Sequence, residues 1–191
     1  MQAAVARPSP KVWTREEWHA LEETGVLGDQ RLELFEGELL DKMGQNRPHA
    51  NAVAELMALM IEAFGLRHVR CQLSLEPSPS DSVHTLPVPD VAVVRQPNKS
   101  YPGHPGPTEV LLLFEVSDST LEHDTGRKAR MYARAGVPDY VVADVRFHRL
   151  FVFRQPEDGE YRWSAILGTE DEFRPLAAPD QAWKVRDLLG E

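Results

Sequence analysis

The most apolar run of this 191-residue chain, Val110 to Val116, reads VLLLFEV and holds a single carboxylate, Glu115. A run of this kind suits a strand buried on both faces of a sheet. An ionised glutamate placed there costs several kcal/mol unless it is paired or binds a cation. Asp90 follows Pro89 at the mouth of a second apolar segment, PDVAVV. Two carboxylates on neighbouring strands make poor partners unless a metal lies between them. Hard divalent cations take carboxylates, backbone carbonyls and waters, and keep an open face for substrate phosphate. Asp90, Glu115 and the backbone carbonyl of Val116 therefore make a candidate site for Mg2+ or Mn2+. The plainer alternatives, Asp90 capping a turn and Glu115 paired with an arginine, stay open at this point.

The segment after the Glu115 strand predicts a helix over Asp124 to Ala135, with Gly136 just past its end. Asp124 and Lys128 are four residues apart on one face, so Lys128 can reach toward the end of the Glu115 strand. An exposed Asp124–Lys128 pair is the alternative and would contribute only a few tenths of a kcal/mol. Tyr140 to Val145 reads as the next buried strand. Strand, helix and strand from Val110 to Val145 have the length of a βαβ crossover.

The rest of the chain fits one domain with a short preface. Residues 1–30 read as an arm followed by a short helix, since Thr14 and Glu17 have capping-box spacing. The body spans 31–191. Leu32, Leu34 and Leu39 alternate around Glu36-Gly37 as a β-hairpin, and Pro48 precedes a helix over roughly His49 to Phe64. Strands are expected at His68 to Leu75, Val88 to Val94 and Leu150 to Arg154, with peripheral strands and a closing segment after them. Gln96 to Pro107 is a Pro/Gly-rich loop.

Charge and composition bound the function. Apolar residues make up 42% and charged residues 27%, which is a globular composition. No apolar run approaches a membrane span, and the N-terminus lacks the apolar core of a secretory signal. Cys71 is the only cysteine, which excludes an internal disulfide and a thiolate zinc site. A cytoplasmic protein is the simplest expectation. The net charge of −9 argues against a general DNA-coating protein. A local basic face from Arg127, Arg130 and Arg134, with Arg146, His148 and Arg149, would still allow a nucleic-acid partner. No two histidines have the helical spacing of a zinc site. Ser117 and Ser119 have no histidine partner that spacing identifies.

PDVAVV, LLLFEVSDST and HDTGRKARMYARAGVPDYVVADV, in that order, resemble the Uma-type putative restriction endonuclease family, a branch of the PD-(D/E)XK nucleases. RLELFEGELL and the His49 helix resemble its N-terminal part, so the likeness runs from about Arg31 to Arg154. The resemblance implies an α/β restriction-endonuclease-like core, a mixed central sheet flanked by helices, with metal ligands at Asp90 and Glu115. The superfamily's lysine, two residues after the acid, is here Ser117. Lys128 matches the position on the following helix to which related families move it. Glu33 and Glu38 match acidic positions of the N-terminal motif, and Glu33, centred in its strand, is preferred as a further metal ligand. Glu38, His49, Ser117 and Asp124 are expected to support the site. The implied activity is Mg2+- or Mn2+-dependent hydrolysis of phosphodiesters, in DNA by preference, by a protein that works as a dimer. A catalytically inactive binding or regulatory module of the same fold, and a metal-dependent hydrolase of small phosphate esters, are the rival functions.

Overall fold

In the computed structural model, which describes residues 9–28, 30–42 and 46–190, the chain enters through helix α1 (Arg15–Glu23). The Thr14 hydroxyl accepts the Glu17 N–H while the Glu17 carboxylate accepts the Thr14 N–H at 3.0 Å, the reciprocal box that the spacing predicts. Trp18 is the side chain this helix buries, against Leu34 and Leu86. Residues 1–8 of the expected arm lie outside the described residues.

Strands β1 (Leu32–Phe35) and β2 (Glu38–Asp41) form the hairpin. Glu36 and Gly37 turn it with φ of 49° and 81°, the paired left-handed residues of a tight hairpin turn. Alternation then sorts the two faces. Leu32, Leu34 and Leu39 pack toward Trp18, while Phe35 and Leu40 pack on the body of the protein. A Cβ at Gly37 would also stand 2.4 Å from Val12 Cγ1 and 3.4 Å from the Trp13 backbone. Gly37→Ala is therefore expected to lower stability by about 1–2 kcal/mol, the cost of an L-residue held left-handed. Denaturant unfolding checks this, and an unchanged midpoint would mean the turn tolerates a side chain.

Helix α2 (Arg47–Phe64) starts two residues before the expected His49, because the Asn46 side chain caps it through the His49 N–H at 3.0 Å. Pro48 falls in its first turn, where a missing N–H costs nothing. The central sheet follows, in the order β3 (Val69–Cys71), β4 (Val91–Val94), β5 (Val110–Ser117), β6 (Asp139–Asp144), β7 (Arg149–Glu157) and β8 (Glu160–Gly168). Only β5 and β6 run parallel, and the other neighbours are antiparallel. This is the mixed sheet the sequence predicts.

β3 is shorter than the expected strand over His68 to Leu75. Gln72 takes φ 51°, which turns the backbone out of the ladder after Cys71. The crossover from β5 to β6 is helical but not uniform: α3 (Leu121–His123), a π-turn over Asp124–Lys128, then α4 (Ala129–Arg134). The chain closes with the two-stranded pair β9 (Glu172–Phe173) and β10 (Trp183–Lys184), then α5 (Val185–Leu189).

Helices cover both faces of the sheet. On one, Leu56 and Met60 of α2 and Leu188 of α5 pack on Val91, Val93, Leu112, Phe114 and Val116. On the other, Met131 and Tyr132 of α4 meet Ala92, Leu113, Tyr140 and Val142. Glu115 lies two residues beyond Leu113 on the β5 strand, so alternation turns it to the α4 face.

Candidate active site

Asp90 stands immediately before β4 and is 2% exposed. Its Oδ2 accepts the Val116 N–H of the adjacent strand at 2.8 Å, and His49 Nε2 lies 3.4 Å from the same oxygen. Its Oδ1 accepts the Gln72 side-chain amide at 3.2 Å and stands 3.5 Å from the Lys42 ammonium. Burial opposes the charge. The His49 contact, the Lys42 charge and the Val116 N–H outweigh it and hold this carboxyl well below the usual carboxylate range.

Glu115, also 2% exposed, behaves oppositely. Its Oε1 accepts Lys128 Nζ at 2.9 Å and the Tyr132 hydroxyl at 3.0 Å, and its Oε2 is 3.9 Å from Lys42 Nζ. Burial pushes the carboxyl up to about 7, with the charges of Asp90 and Glu33 adding to it against the two lysines. Glu33 joins from β1: its Oε2 lies 2.9 Å from Lys128 Nζ and its Oε1 accepts the Val88 N–H at 3.1 Å. Burial opposes this charge too, yet Lys128, Lys42 and the Val88 N–H keep the Glu33 carboxyl below its ordinary value. Both glutamates pair with Lys128 but shift in opposite directions. Glu33 has a backbone donor of its own, whereas Glu115 faces Asp90.

Lys128 is buried at 3% exposure, so the Asp124–Lys128 surface pair is not what forms. The π-turn is where α3 gives way to α4, and Lys128 is its last residue. One-turn π-segments of this kind gather at functional sites. Burial opposes the ammonium's charge, but Glu115, Glu33 and Asp124 raise its pKa well above the ordinary lysine value.

The expected site residues separate into two groups. Asp90, Glu115, Lys128, Glu33, Val116, His49 and Asp124 all line one cleft of about 930 Å3. Val116 contributes its N–H to Asp90. The backbone carbonyl that meets a cation here is that of Val88, which accepts the Lys42 ammonium. Asp124 is held by the Thr120 hydroxyl at 2.5 Å, and Ser117 Oγ lies 3.3 Å from Thr120 Oγ1 beneath the cleft. Glu38 does not join them. It is exposed and accepts Arg127 at 3.0 Å.

The basic face expected from the helix and from the segment after the next strand is partly neutralised. Arg127 pairs with Glu36 and Glu38, Arg134 with Glu36 and Asp81, and Arg149 with Asp144.

Two residues of the site escape sequence reasoning. Lys42 follows β2, and period-2 alternation with Leu40, the cross-strand partner of Glu33, is the signal that puts it on the Glu33 face. Gln72 carries no such signal, because its side chain reaches Asp90 only through the left-handed backbone at that residue. Its Oε1 also accepts Arg31 Nη1 at 3.0 Å, which brings a cation to the cleft rim.

The donor set suits a hard divalent ion. Two buried carboxylates and a carbonyl already converge on one positive charge, the Lys42 ammonium. Among the described residues no three His, Cys, Asp or Glu side chains close on a single point, so the carbonyl and waters would complete the shell. No helix among the described residues is long and apolar enough to cross a membrane.

A mixed sheet that carries two acids at the adjacent ends of β4 and β5, with a lysine delivered from the crossover helix, defines an α/β protein of nuclease fold. The fold likeness is direct. A crystal structure described as a putative nuclease belonging to DUF820, from Anabaena variabilis ATCC 29413, superposes with a TM-score of 0.69 at 15% identity, over 93% of this chain and 97% of that one. Residues 15–186 match the model of the Uma2 family, described as putative restriction endonuclease, and the chain belongs to that family. No curated protein matches the chain. Families of the restriction-endonuclease-like type generally use divalent metal ions.

Proposed function

We propose that the protein is a Mg2+- or Mn2+-dependent endonuclease that hydrolyses phosphodiester bonds in DNA. The observation that carries this reading is the convergence of Asp90 and Glu115, both buried, on one cation at the floor of an open cleft. A divalent ion held by these two carboxylates would polarise the phosphate and lower the pKa of an attacking water. Asp90 is fixed for this by the Val116 N–H and by Gln72, so the carboxylate has little freedom to turn away. Lys128 keeps a positive charge 2.9 Å from Glu115 and 2.9 Å from Glu33. An ammonium has three N–H donors; two serve the glutamates, and the third is assigned to the attacking water or a phosphate oxygen. Glu33 acts through Lys128, and His49 acts through Asp90.

One observation favours a smaller substrate. Two arginines of the crossover helix, Arg127 and Arg134, pair with acids, which leaves less free positive charge for a duplex. Supercoiled plasmid, single-stranded DNA and a chromogenic phosphodiester, each with Mg2+ or Mn2+, separate the readings. Wild type is expected to cut DNA only with metal, and Asp90→Ala purified in parallel is expected to be inactive. Equal cutting by both proteins would sink the assignment of the site. Turnover of the diester alone would leave the small-substrate hydrolase in its place.

A further inference from the structure

Two lysines enter the acidic cluster, and only one is sealed into it. The Lys128 side chain is 4% exposed and makes two 2.9 Å ion pairs. The Lys42 side chain is 21% exposed, and its ammonium stands 3.5 Å from Asp90 and 3.9 Å from Glu115 while the Val88 carbonyl accepts it. Both carboxylate distances exceed the 2.7–2.9 Å or so of a tight charge-assisted bond. The ammonium is thus shared by its oxygens without being locked to either acid. It occupies an oxygen-only cradle of two carboxylates and a carbonyl, the donor set that a hard divalent cation takes.

We propose that Lys42 is a tethered counter-cation that fills the divalent-ion position between Asp90 and Glu115 in the metal-free protein and must withdraw for the ion to bind. The proposal rests on the metal reading given above. Three buried carboxylates, Asp90, Glu115 and Glu33, meet here, and Lys128 is within pairing distance of only the two glutamates. Asp90 has no permanently charged partner other than Lys42 among the described residues, since His49 is charged only when protonated. Without a metal, Lys42 keeps Asp90 and Glu115 from facing each other unscreened. With one, two positive charges would compete for the same oxygens, and the flexible four-carbon stem of lysine lets its head leave. The open cleft gives it room, since Lys42 is part of its lining.

The test is Mn2+ binding to the full chain without nucleic acid, read by calorimetry, for wild type, Lys42→Met, Lys42→Gln and Asp90→Ala. Removing the competitor is expected to tighten binding in Lys42→Met and Lys42→Gln by about tenfold or more, a change of about 1.4 kcal/mol or more. The metal-free variants should melt below wild type, and saturating Mn2+ should close that gap. A second measurement needs no variant. The 15N signal of the Lys42 ammonium, protected in the metal-free protein, should lose its protection as Mg2+ is added. Unchanged or weaker Mn2+ binding in both Lys42 variants, or a Lys42 signal indifferent to saturating Mg2+, would overturn the proposal and leave the nuclease reading intact. Wild-type protein with no Asp90-dependent Mn2+ binding would overturn both.

Discussion

Lys128→Met is expected to destabilise the protein by about 3–5 kcal/mol, the usual cost of leaving a buried charge without its partner. Its ammonium is the sole ion-pair partner of Glu33 within 4 Å among the described residues and the nearer of two cations to Glu115. Deleting it leaves two buried carboxylates with Lys42 the remaining cation and already shared with Asp90. Methionine fills much the same volume, so the loss is electrostatic and not a cavity effect. For a chain of this size the melting temperature should fall by roughly 10 °C. Arginine should not rescue it. Its planar fork is larger than an ammonium and cannot sit between two acids that each approach Nζ to 2.9 Å. The double variant Lys128→Met/Glu115→Gln should recover part of the loss, because one stranded charge has been removed, and the two substitutions should be strongly non-additive. Chemical denaturation of wild type, Lys128→Met, Lys128→Arg, Glu115→Gln and the double variant decides this. A loss below ~1 kcal/mol in Lys128→Met would mean that the cluster is wetter and the pairing weaker than the geometry indicates.

The candidate site was legible in the sequence wherever a residue broke the local pattern. Glu115 stands out because an apolar strand excludes an unpaired carboxylate, and the structure does surround it with cations. The Thr14–Glu17 box marks the start of α1 because capping is a matter of local spacing. Lys128 is different. Helical spacing brings it near the end of the Glu115 strand, but nothing local distinguishes an exposed i,i+4 pair from a lysine buried between two strands. That distinction depends on Glu33 arriving from the hairpin, which is distant in sequence. Gln72 is opaque for a related reason. Its neighbours suggest a longer strand, and the left-handed residue that ends β3 also swings its amide onto Asp90. Arg127 and Arg134 read as a basic face because their partners, Glu36, Glu38 and Asp81, come from other elements. Local pattern thus reveals which groups are out of place. Which groups compensate them is decided by tertiary contacts.

Glu115→Gln should separate chemistry from folding, with cleavage reduced by at least about 10²–10³-fold, the loss typical of removing one charge-stabilising group from an active site, and stability nearly kept. The amide is isosteric, and its oxygen can still accept the Tyr132 hydroxyl and the Lys128 ammonium, which hold Glu115 Oε1 at 3.0 and 2.9 Å. Lys128 keeps Glu33, so no cation is stranded. Burial already disfavours the charged form of Glu115, so neutralising it relieves a desolvation cost while giving up ion pairing, and the two changes oppose each other. The unfolding free energy should stay within about 1 kcal/mol of wild type, since Lys128 remains paired with Glu33 and the relieved desolvation offsets the lost pairing. What the amide cannot replace is the negative charge facing Lys42, and hence the pull on a divalent ion. Mn2+ affinity should fall along with the rate. The contrast with Lys128→Met is the sharper test. That protein is expected to be unstable because acids are left unpaired, whereas Glu115→Gln is expected to be folded and inactive. Cleavage by Glu115→Gln within tenfold of wild type would remove Glu115 from the proposed metal site and leave it a structural partner of Lys128.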